Sequence, residues 1–354
     1  MPFNVQSRGA AAAILACLGL AGQSVLYATA AEGVWPVEGR LLGEPRGTAG
    51  DAKKAKDVSG IACATELGFP RVCVVADDSS QGAQIVVLYD GRLVAGDFIR
   101  LTDASLDGDL LELDAEAVAY AEGAFYVMGS HGRPRHRDGG AGDAKTEAKT
   151  AARRHLFRVT FDVTSVDTVG RLAKPATVKR SLTLSDVIRA EPILGPSFDG
   201  ALAGGGVDIE GAAIRGGRLY AGLRGPILPS GEAVILSVPL DVLFDGAAGQ
   251  AKLHRLDLGD GRGIRDLVAF KNGFLVLGGP LKDPSDDAVA SGDYVVRWWD
   301  GAASRPLGVI PAFGRKVKPE ALVPLDQADG RLRLLVLFDG PPEGGPRVVL
   351  IEAP

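Results

Sequence analysis

The chain of 354 residues lacks several features that would indicate a function. It contains no Gly-x-Ser-x-Gly nucleophile elbow, no P-loop and no His-Glu-x-x-His zinc motif. The glycine run at 204–206 precedes a strand pattern with no helix after it, so no nucleotide cofactor is predicted. Lysine and arginine (39) are outnumbered by aspartate and glutamate (44). This acidic balance argues against a nucleic-acid partner, because phosphate backbones require a basic face.

Long helical patterns are also scarce. The chain is instead rich in glycine (48) and proline (21), residues that are typical of turns. This composition favours an all-β protein over a helical one. Valine, isoleucine, leucine and phenylalanine are plentiful enough to fill a hydrophobic core, so the sequence does not indicate a disordered chain.

The N-terminal segment has the pattern of a secretion signal. Arg8 precedes an apolar run over 10–26, and the small residues at 28–30 form a cleavage site. We therefore predict a signal peptide over 1–30, a mature domain over 31–354 without a transmembrane segment, and a periplasmic or secreted location. A membrane anchor is the alternative, but glycine and polar residues interrupt the run before it reaches the roughly 20 apolar residues of a span.

The sequence has three cysteines. Cys17 lies in the apolar run and resembles a weak lipoprotein box, so lipidation is a further alternative. Cys63 and Cys73 lie on the two arms of one predicted hairpin, about symmetric around Gly68. In an oxidising compartment we predict a disulfide between them, rather than a metal site or a nucleophile.

A hairpin pattern recurs along the chain, and most copies begin with a carboxylate. The recurring positions are Ser59, Glu116, Glu210, Asp266 and Glu320. In the three clearest copies a turn pair follows six and seven residues after the acid, at Glu122-Gly123, Gly216-Gly217 and Asn272-Gly273. Units of about 40–55 residues with four strands each are typical of propeller blades.

We therefore predict an all-β fold consisting of a single β-propeller with five blades. The last blade is short of one strand, and the segment 35–42 near the N-terminus is expected to supply it and close the ring. The segment 137–152 shows no apolar periodicity and is predicted to be a flexible loop within the second blade. A sixth blade would require strands in 179–206. The alternative fold is a pair of β-sandwiches, which would not explain the repeated carboxylate.

A propeller would bring the recurring acids together. The innermost strand of each blade follows the central channel, and its start lies beside the end of the antiparallel second strand. We therefore expect the acids to gather at one mouth of the channel, as ligands of a divalent cation: Glu116, Glu210, Asp266 and Glu320. Residues that end the second strands would lie beside them, namely Asp77, Asp78, His131, Arg133, Arg224 and Asp339.

Several close carboxylates require neutralisation. Two of them about 6 Å apart repel by roughly 3 kcal/mol at an effective dielectric constant of 20. A cation, an arginine or a shared proton would remove this cost. Oxygen ligands suit Ca²⁺ or Mg²⁺. The equally weighted alternative is that each acid caps backbone N–H groups of the neighbouring blade and holds the ring together.

The segment 130–137 is basic in an acidic chain, with three arginines and two histidines. Arginine forks such as those of Arg133 and Arg135 match phosphate or carboxylate oxygens. His131 is a candidate general acid or base near neutral pH. The alternative is a solvated loop, or arginines that brace the blade through carboxylates.

Three stretches resemble the bacterial family known as domain of unknown function 3616: SGIACATELGFPRVCVVADDSSQGAQIVVLYDGRLVAGDFIRL, LELDAEAVAYAEGAFYVMGSHGRPRH and RRHLFRV. This resemblance implies no activity. The segment Asp208 to Gly211 is similar to a repeat of esterase-like, phytase-like propellers, which implies a phosphate-ester hydrolase. The chain departs from that pattern at Ala117, where glycine would follow Glu116, and at Ser59.

Two functions follow as hypotheses. The first is an exported, metal-assisted hydrolase of small anionic molecules such as a phosphate ester or a lactone. The recurring acids would hold Ca²⁺ or Mg²⁺, and catalysis would involve Glu116 and His131. The residues expected to contact the substrate are Arg133, Arg135, Arg224, Asp77 and Asp78. The second is a non-catalytic propeller that binds a ligand or a cell-envelope partner at the same mouth.

Overall fold

The computed structural model describes residue 1 and the ranges 29–46, 51–134, 143–259, 261–283 and 286–354. Within these ranges, strands dominate. In chain order they are β1 Thr29–Val34, β2 Val37–Glu38, β3 Leu42–Arg46, β4 Asp51–Lys54, β5 Val58–Cys63, β6 Arg71–Asp77, β7 Gly82–Tyr89, β8 Arg92–Arg100, β9 Ser105–Leu106, β10 Asp109–Leu110, β11 Ala115–Ala121, β12 Ala124–Gly129, β13 Leu156–Thr160, β14 Thr177–Ser181, β15 Asp208–Arg215, β16 Arg218–Gly225, β17 Ala233–Pro239, β18 Lys252–Leu256, β19 Gly263–Phe270, β20 Gly273–Gly279, β21 Val295–Trp299, β22 Ser304–Val309, β23 Lys318–Ala328, β24 Arg331–Asp339 and β25 Arg347–Glu352.

Helices are short and lie between strands. The α-helices are α1 Ala144–Arg153, α2 Thr183–Ala190 and α3 Leu240–Asp245. The 3₁₀ turns are Val163–Ser165, Gly195–Ser197, Leu202–Gly204 and Pro342–Gly344. Among the described residues, none of these helices has both the length and the apolar character that crossing a bilayer requires.

The strands form a five-bladed propeller, as predicted. The blades are β5–β8, β11–β14, β15–β18, β19–β22, and β23–β25 with β1. Each blade is an antiparallel sheet whose first strand is innermost, and each innermost strand contacts those of both neighbouring blades. The segment 179–206 adds the end of β14, α2 and two 3₁₀ turns but no sheet, so the six-bladed alternative is wrong, as is the pair of sandwiches.

The hydrophobic core is divided among the gaps between blades. Five buried clusters each join two adjacent blades around the ring. Within the blades, runs such as the AVILSV sequence of β17 are buried throughout, because both faces of the sheet pack against neighbours. Close approach of the innermost strands requires glycine: a Cβ at Gly60 would lie 2.9 Å from Val118 N, and one at Gly211 would lie 2.9 Å from Leu267 N.

The last blade is completed by a strand from the N-terminal part of the chain, as predicted, but the predicted segment was wrong. Strand β1 pairs with β25, with Ala30 opposite Val349. The pairing ends at Val34 because Pro36 lacks the N–H that a ladder needs. The chain then crosses to the first blade, where Leu93 N donates to Pro36 O at 3.0 Å and β2 pairs parallel with β8. The predicted signal peptide lies outside the described residues except at residues 1, 29 and 30.

The structure also corrects the prediction of a flexible loop over 137–152. Residues 137–142 lie outside the described part of the chain, but from Ala144 to Arg153 the segment forms helix α1. Alanine and lysine are strong helix formers, and Asp143 caps the N-terminus by accepting from Thr146 N at 2.9 Å. The buried face of α1 consists of Thr146, Thr150 and Ala152, so the segment lacks the large apolar side chains by which a helix is predicted from sequence.

The predicted disulfide is present. Cys63 and Cys73 lie directly opposite each other on β5 and β6 and are joined through their Sγ atoms. The bond closes the long turn of the first hairpin.

Candidate functional site

Every innermost strand carries a β-bulge at the same level, and the bulge directs one side chain into the channel. The residues at the bulges are Ser59, Glu116, Glu210, Arg265 and Glu320. A bulge inserts one unpaired residue, which changes the direction of its side chain. All five side chains line a cavity of about 540 Å³ at one mouth of the channel. We call these five residues the ring positions.

The fourth ring position is Arg265, and the prediction of Asp266 was wrong by one residue. Phe270 pairs with Gly273, so the turn is Lys271-Asn272 instead of Asn272-Gly273. Because side chains alternate along a strand, a one-residue shift moves a side chain to the other face. Asp266 is therefore absent from the cavity lining.

Asp266 instead ties two blades together. Its Oδ1 accepts from Leu267 N and its Oδ2 accepts from Leu322 N in the next blade, both at 2.7 Å. Burial raises the pKa of Asp266 to about 8, although the two backbone hydrogen bonds lower it. For this acid, the capping alternative describes the structure.

Arg265 joins two other ring positions in a buried ion triad. Its Nε lies 2.9 Å from both Glu210 Oε2 and Glu320 Oε2, and its Nη2 donates to Glu320 Oε1. Burial lowers the pKa of the Arg265 guanidinium, but Glu210 and Glu320 together raise it by more than burial lowers it, so Arg265 stays charged. Burial also raises the pKa of Glu320 to about 8, against the opposing effect of Arg265. Glu210 and Glu320 are thus engaged by arginine, which argues against their predicted role as metal ligands.

Arg224 stands behind Glu210 and outside the cavity lining. Its Nη1 donates to Glu210 at 3.0 Å, its Nη2 to Asp283 at 2.9 Å and its Nε to Leu281 O at 3.0 Å. The side chain is 1% exposed. Each nitrogen is used within the protein, so the predicted substrate contact of Arg224 is not supported by its position.

Five carboxylates from the first two blades lie close together. We call them the acid cluster: Asp57, Asp77, Asp78, Asp114 and Glu116. They form two overlapping groups that share Asp78, and within each group three carboxylate oxygens lie within 4.8 Å of one another. The sequence predicted Asp77, Asp78 and Glu116 near the mouth but missed Asp57 and Asp114. Asp57 and Asp114 each lie two residues before a ring position, as Asp208 lies two residues before Glu210. This shared spacing is the sequence signal that could have identified them.

Burial and neighbouring carboxylates raise the pKa of Asp77, Asp78 and Glu116. Burial, then the nearby Asp114 and Glu210, raise the pKa of Glu116 well above its usual range. Burial, then Asp114 and Asp77, raise the pKa of Asp78 in the same way. The pKa of Asp77 is raised to about 7 by burial and by Asp57. Among the described residues, no side chain or backbone group hydrogen bonds or ion pairs with the carboxylate of Glu116.

These donors fit a hard divalent cation. They are oxygen atoms only, which Ca²⁺ and Mg²⁺ prefer. Two ligands on opposite sides of Ca²⁺, each about 2.4 Å away, are about 4.8 Å apart, so oxygens that lie within 4.8 Å of one another can contact the same ion. Asp77 Oδ1 is buried without a protein partner in the described part of the chain. A cation would offset the raised pKa values of the group.

His131 lies away from the mouth. It is fully buried, its Nδ1 is 2.9 Å from Gly129 O, and it is absent from the cavity lining. Burial lowers the pKa of His131 to about 4, so the ring is neutral at physiological pH. Its loop braces two blades, since Ile209 N donates to Ser130 O at 2.8 Å. The predicted proton shuttle at the acids is contradicted by this position.

The basic side of the mouth comes from Arg133 and from helix α1. Arg133 lines the cavity and pairs with Glu147 of α1 at 2.7 Å. Lys149 and Arg153, on the same face of α1, also line the cavity, and Arg153 lies 3.2 Å from Asp114 Oδ2. Arg135 lies outside the described residues. The α1 residues are not predicted from the sequence, because their position at the mouth depends on a helix that the sequence pattern does not indicate.

The opposite end of the channel has a different character. It holds a cavity of about 220 Å³ that is lined mainly by apolar and small side chains of the innermost strands, with Glu66 and Arg71 as its charged residues. Arg71 donates to the backbone oxygens of Glu66 and Pro324, both at 2.8 Å, so its charge is used to hold the strands. The mouth with the acid cluster is therefore the better candidate for chemistry.

A family model for a protein of unknown function, DUF3616, matches residues 89–347. The chain belongs to the DUF3616 family. The match spans all of blades two, three and four, so most of the cavity lining lies within the family region. No curated protein matches the sequence.

Solved structures similar to this DUF3616 member include two enzymes and a propeller domain. One is a glucose dehydrogenase-like oxidoreductase from Thermus thermophilus, with 16% identity, a TM-score of 0.38, and coverage of 92% of this chain and 99% of that one. A luciferin-regenerating enzyme shows 10% identity, a TM-score of 0.35, and coverage of 89% and 81%. The WD40 propeller domain of Doa1 shows 9% identity, a TM-score of 0.34, and coverage of 93% and 98%. At this level of similarity none of them bears on the activity of this chain.

Proposed function

We propose that this protein binds a divalent cation in the acid cluster and hydrolyses a small anionic molecule, a phosphate ester or a lactone, in the adjoining cavity. The observation that carries the proposal is the grouping of Asp78, Asp114 and Glu116, whose oxygens lie within 4.8 Å of one another. Two of the three carboxyls have raised pKa values caused first by burial. Such a group is stabilised by a positive charge.

The ligands of this proposal differ from those predicted from the sequence. Asp57, Asp77, Asp78, Asp114 and Glu116 would hold the cation. When bound, a divalent cation polarises substrate oxygens and lowers the pKa of bound water. Arg133 and the basic face of α1 would orient an anionic substrate. Glu116 is the candidate to accept a proton from water, because its side chain lines the cavity and belongs to the acid cluster.

The disulfide between Cys63 and Cys73 supports an oxidising location. We propose that the protein acts in the periplasm or outside the cell.

The second candidate function is binding without catalysis. The position of His131 favours it, since no imidazole of the described residues lines the cavity. The same cation and the same basic side would then hold a ligand or partner without turning it over.

The test compares thermal midpoints in EDTA, in Ca²⁺ and in Mg²⁺. A cation at about 100 times its dissociation constant adds about 2.7 kcal/mol to the free energy of unfolding, a rise of about 4 °C for a domain of this size. Glu116→Gln and Asp78→Asn should abolish the rise. Glu112→Gln is the matched control, because Glu112 lines the same cavity outside the acid cluster.

A midpoint that is the same in EDTA and in cation would refute the cation site. If the cation binds, phosphate esters and lactones are then assayed for hydrolysis with the wild type and Glu116→Gln. Cation-dependent turnover that is lost in Glu116→Gln supports the hydrolase. Ligand binding without turnover by the wild type supports the second candidate.

A further inference from the structure

Arg265 has one terminal nitrogen that the ion triad does not use. Its Nε and Nη2 contact Glu210 and Glu320, while Nη1 is buried and has no hydrogen-bond partner among the described residues. The side chain is 3% exposed and lines the cavity of about 540 Å³. Nη1 carries two N–H donors, and a buried donor without an acceptor is costly.

The order of the blades sets what Arg265 faces. The ring positions follow one another around the channel, and in a ring of five the fourth lies across from the first and second. Arg265 therefore stands across the channel from Ser59 and from Glu116, which belongs to the acid cluster. A ligand in the cavity would have the acid cluster on one side and the guanidinium of Arg265 on the other.

We propose that Nη1 of Arg265 is the anion-binding atom of the mouth, and that the ligand it selects is a phosphate monoester. The inference rests on the proposed function, because the cation that would contact the opposite side of the ligand is part of that proposal. A phosphate monoester has three non-ester oxygens, so one can accept from Nη1 while another faces a cation in the acid cluster. A lactone presents a single carbonyl oxygen and cannot satisfy both sides.

A purely structural role would need only two of the three guanidinium nitrogens of Arg265. The charge of Arg265 offsets Glu210 and Glu320, and Nε and Nη2 already make those contacts. Lysine would keep the charge but has no second terminal nitrogen. Because lysine also loses part of the fork to Glu210 and Glu320, the effect of Arg265→Lys on anion binding must be compared with that of a variant that weakens the same network elsewhere.

Arg224 provides a matched control. It is a second buried arginine on Glu210, but each of its nitrogens donates to the protein and it is absent from the cavity lining. Arg224→Lys should destabilise the same network without removing a donor to the cavity.

The experiment measures the dissociation constant of inorganic phosphate by calorimetry on the full chain, with EDTA and with Mg²⁺. Arg265→Lys should weaken phosphate binding at least tenfold, about the effect of one hydrogen bond to a charged group. Arg224→Lys should change it less than twofold, and the Mg²⁺ response of both variants should match that of the wild type. Wild-type affinity in Arg265→Lys, or no phosphate binding by the wild type, would overturn the inference.

A second measurement does not depend on the folding of Arg265→Lys. Wild-type crystals grown with selenate should show an anomalous peak within hydrogen-bond distance of Arg265 Nη1, and a peak elsewhere in the cavity or none at all would overturn the inference. The two proposals also fail separately. Phosphate binding that needs Arg265 but not Mg²⁺ would contradict the cation site alone, whereas Mg²⁺ binding without phosphate binding would contradict the inference alone.

Discussion

Replacing Asp266 by asparagine should make the stability difference from the wild type depend on pH. Asp266 is 3% exposed, and burial raises its pKa to about 8. The same carboxyl in the unfolded chain has a pKa of about 3.9. Between these values the folded protein holds a proton that the unfolded chain has released. Wild-type stability therefore falls as the pH rises through this window, and the neutral asparagine removes that dependence.

The magnitude follows from the hydrogen bonds and the pKa. Asparagine keeps one acceptor oxygen for the two donors, Leu267 N and Leu322 N, so at pH 5 the variant should be less stable by about 1–2 kcal/mol. Each pH unit above 5 costs the wild type about 1.4 kcal/mol from this group. By pH 7 the difference should therefore have changed by about 3 kcal/mol, and the variant should be the more stable protein.

Urea unfolding at pH 5, 6, 7 and 8 measures the difference. Asp300→Asn is the control, because Asp300 also accepts from two backbone N–H groups, those of Ala302 and Ala303, both at 2.8 Å. Asp300 is exposed and its hydrogen bonds lower its pKa, so the difference for that variant should be constant over this range. If the Asp266→Asn difference is also constant, Asp266 is ionised in the folded protein and the hydrogen bonds outweigh burial.

Two further predictions concern the ring and its first hairpin. Gly211→Ala should lower the free energy of unfolding in urea by about 1–3 kcal/mol, because its Cβ would lie 2.9 Å from the backbone of Leu267, whereas Gly204→Ala, with no atom within 4 Å of its Cβ, should have little effect. A similar loss in both variants would contradict the close approach of the strands. Replacing Cys63 and Cys73 by alanine should lower the free energy of unfolding by about 2–3 kcal/mol in the chain-entropy model, and the reduced wild type should match the variant.

The architecture was predictable because each blade carries its own local signals. Pairs such as Glu122-Gly123 and Gly216-Gly217 have positive φ at both residues, which two-residue hairpins require, and apolar strands flank them. The same signal misled the prediction in the fourth blade. Asn272-Gly273 is a strong turn sequence, but Lys271 adopts the positive φ and Gly273 begins the next strand. Because the turn is shifted by one residue, Arg265 lies at the mouth of the channel instead of Asp266.

The candidate site was predictable in place but only partly in composition. Glu116 and Asp78 lie where the strand order puts them, because a blade determines which ends of its strands meet. Asp57 and Asp114 were missed because no carboxylate at their level recurs in every blade. His131 was misplaced because its backbone is left-handed, with a φ of 57°, and strand alternation does not describe the direction of such a side chain.

The pairing of β1 with β25 determines when the ring can close. Thr29 and Leu350 are neighbours in the fifth blade although more than 300 residues separate them along the chain. A chain emerging from the ribosome can fold its first four blades in turn, but the fifth remains open until its last strand has been made. The entropy cost of so long a loop is modest, since each doubling of loop length adds only about 0.6 kcal/mol. Closure of the ring therefore requires both ends of the domain to be present, and the length of the loop between them adds little to its cost.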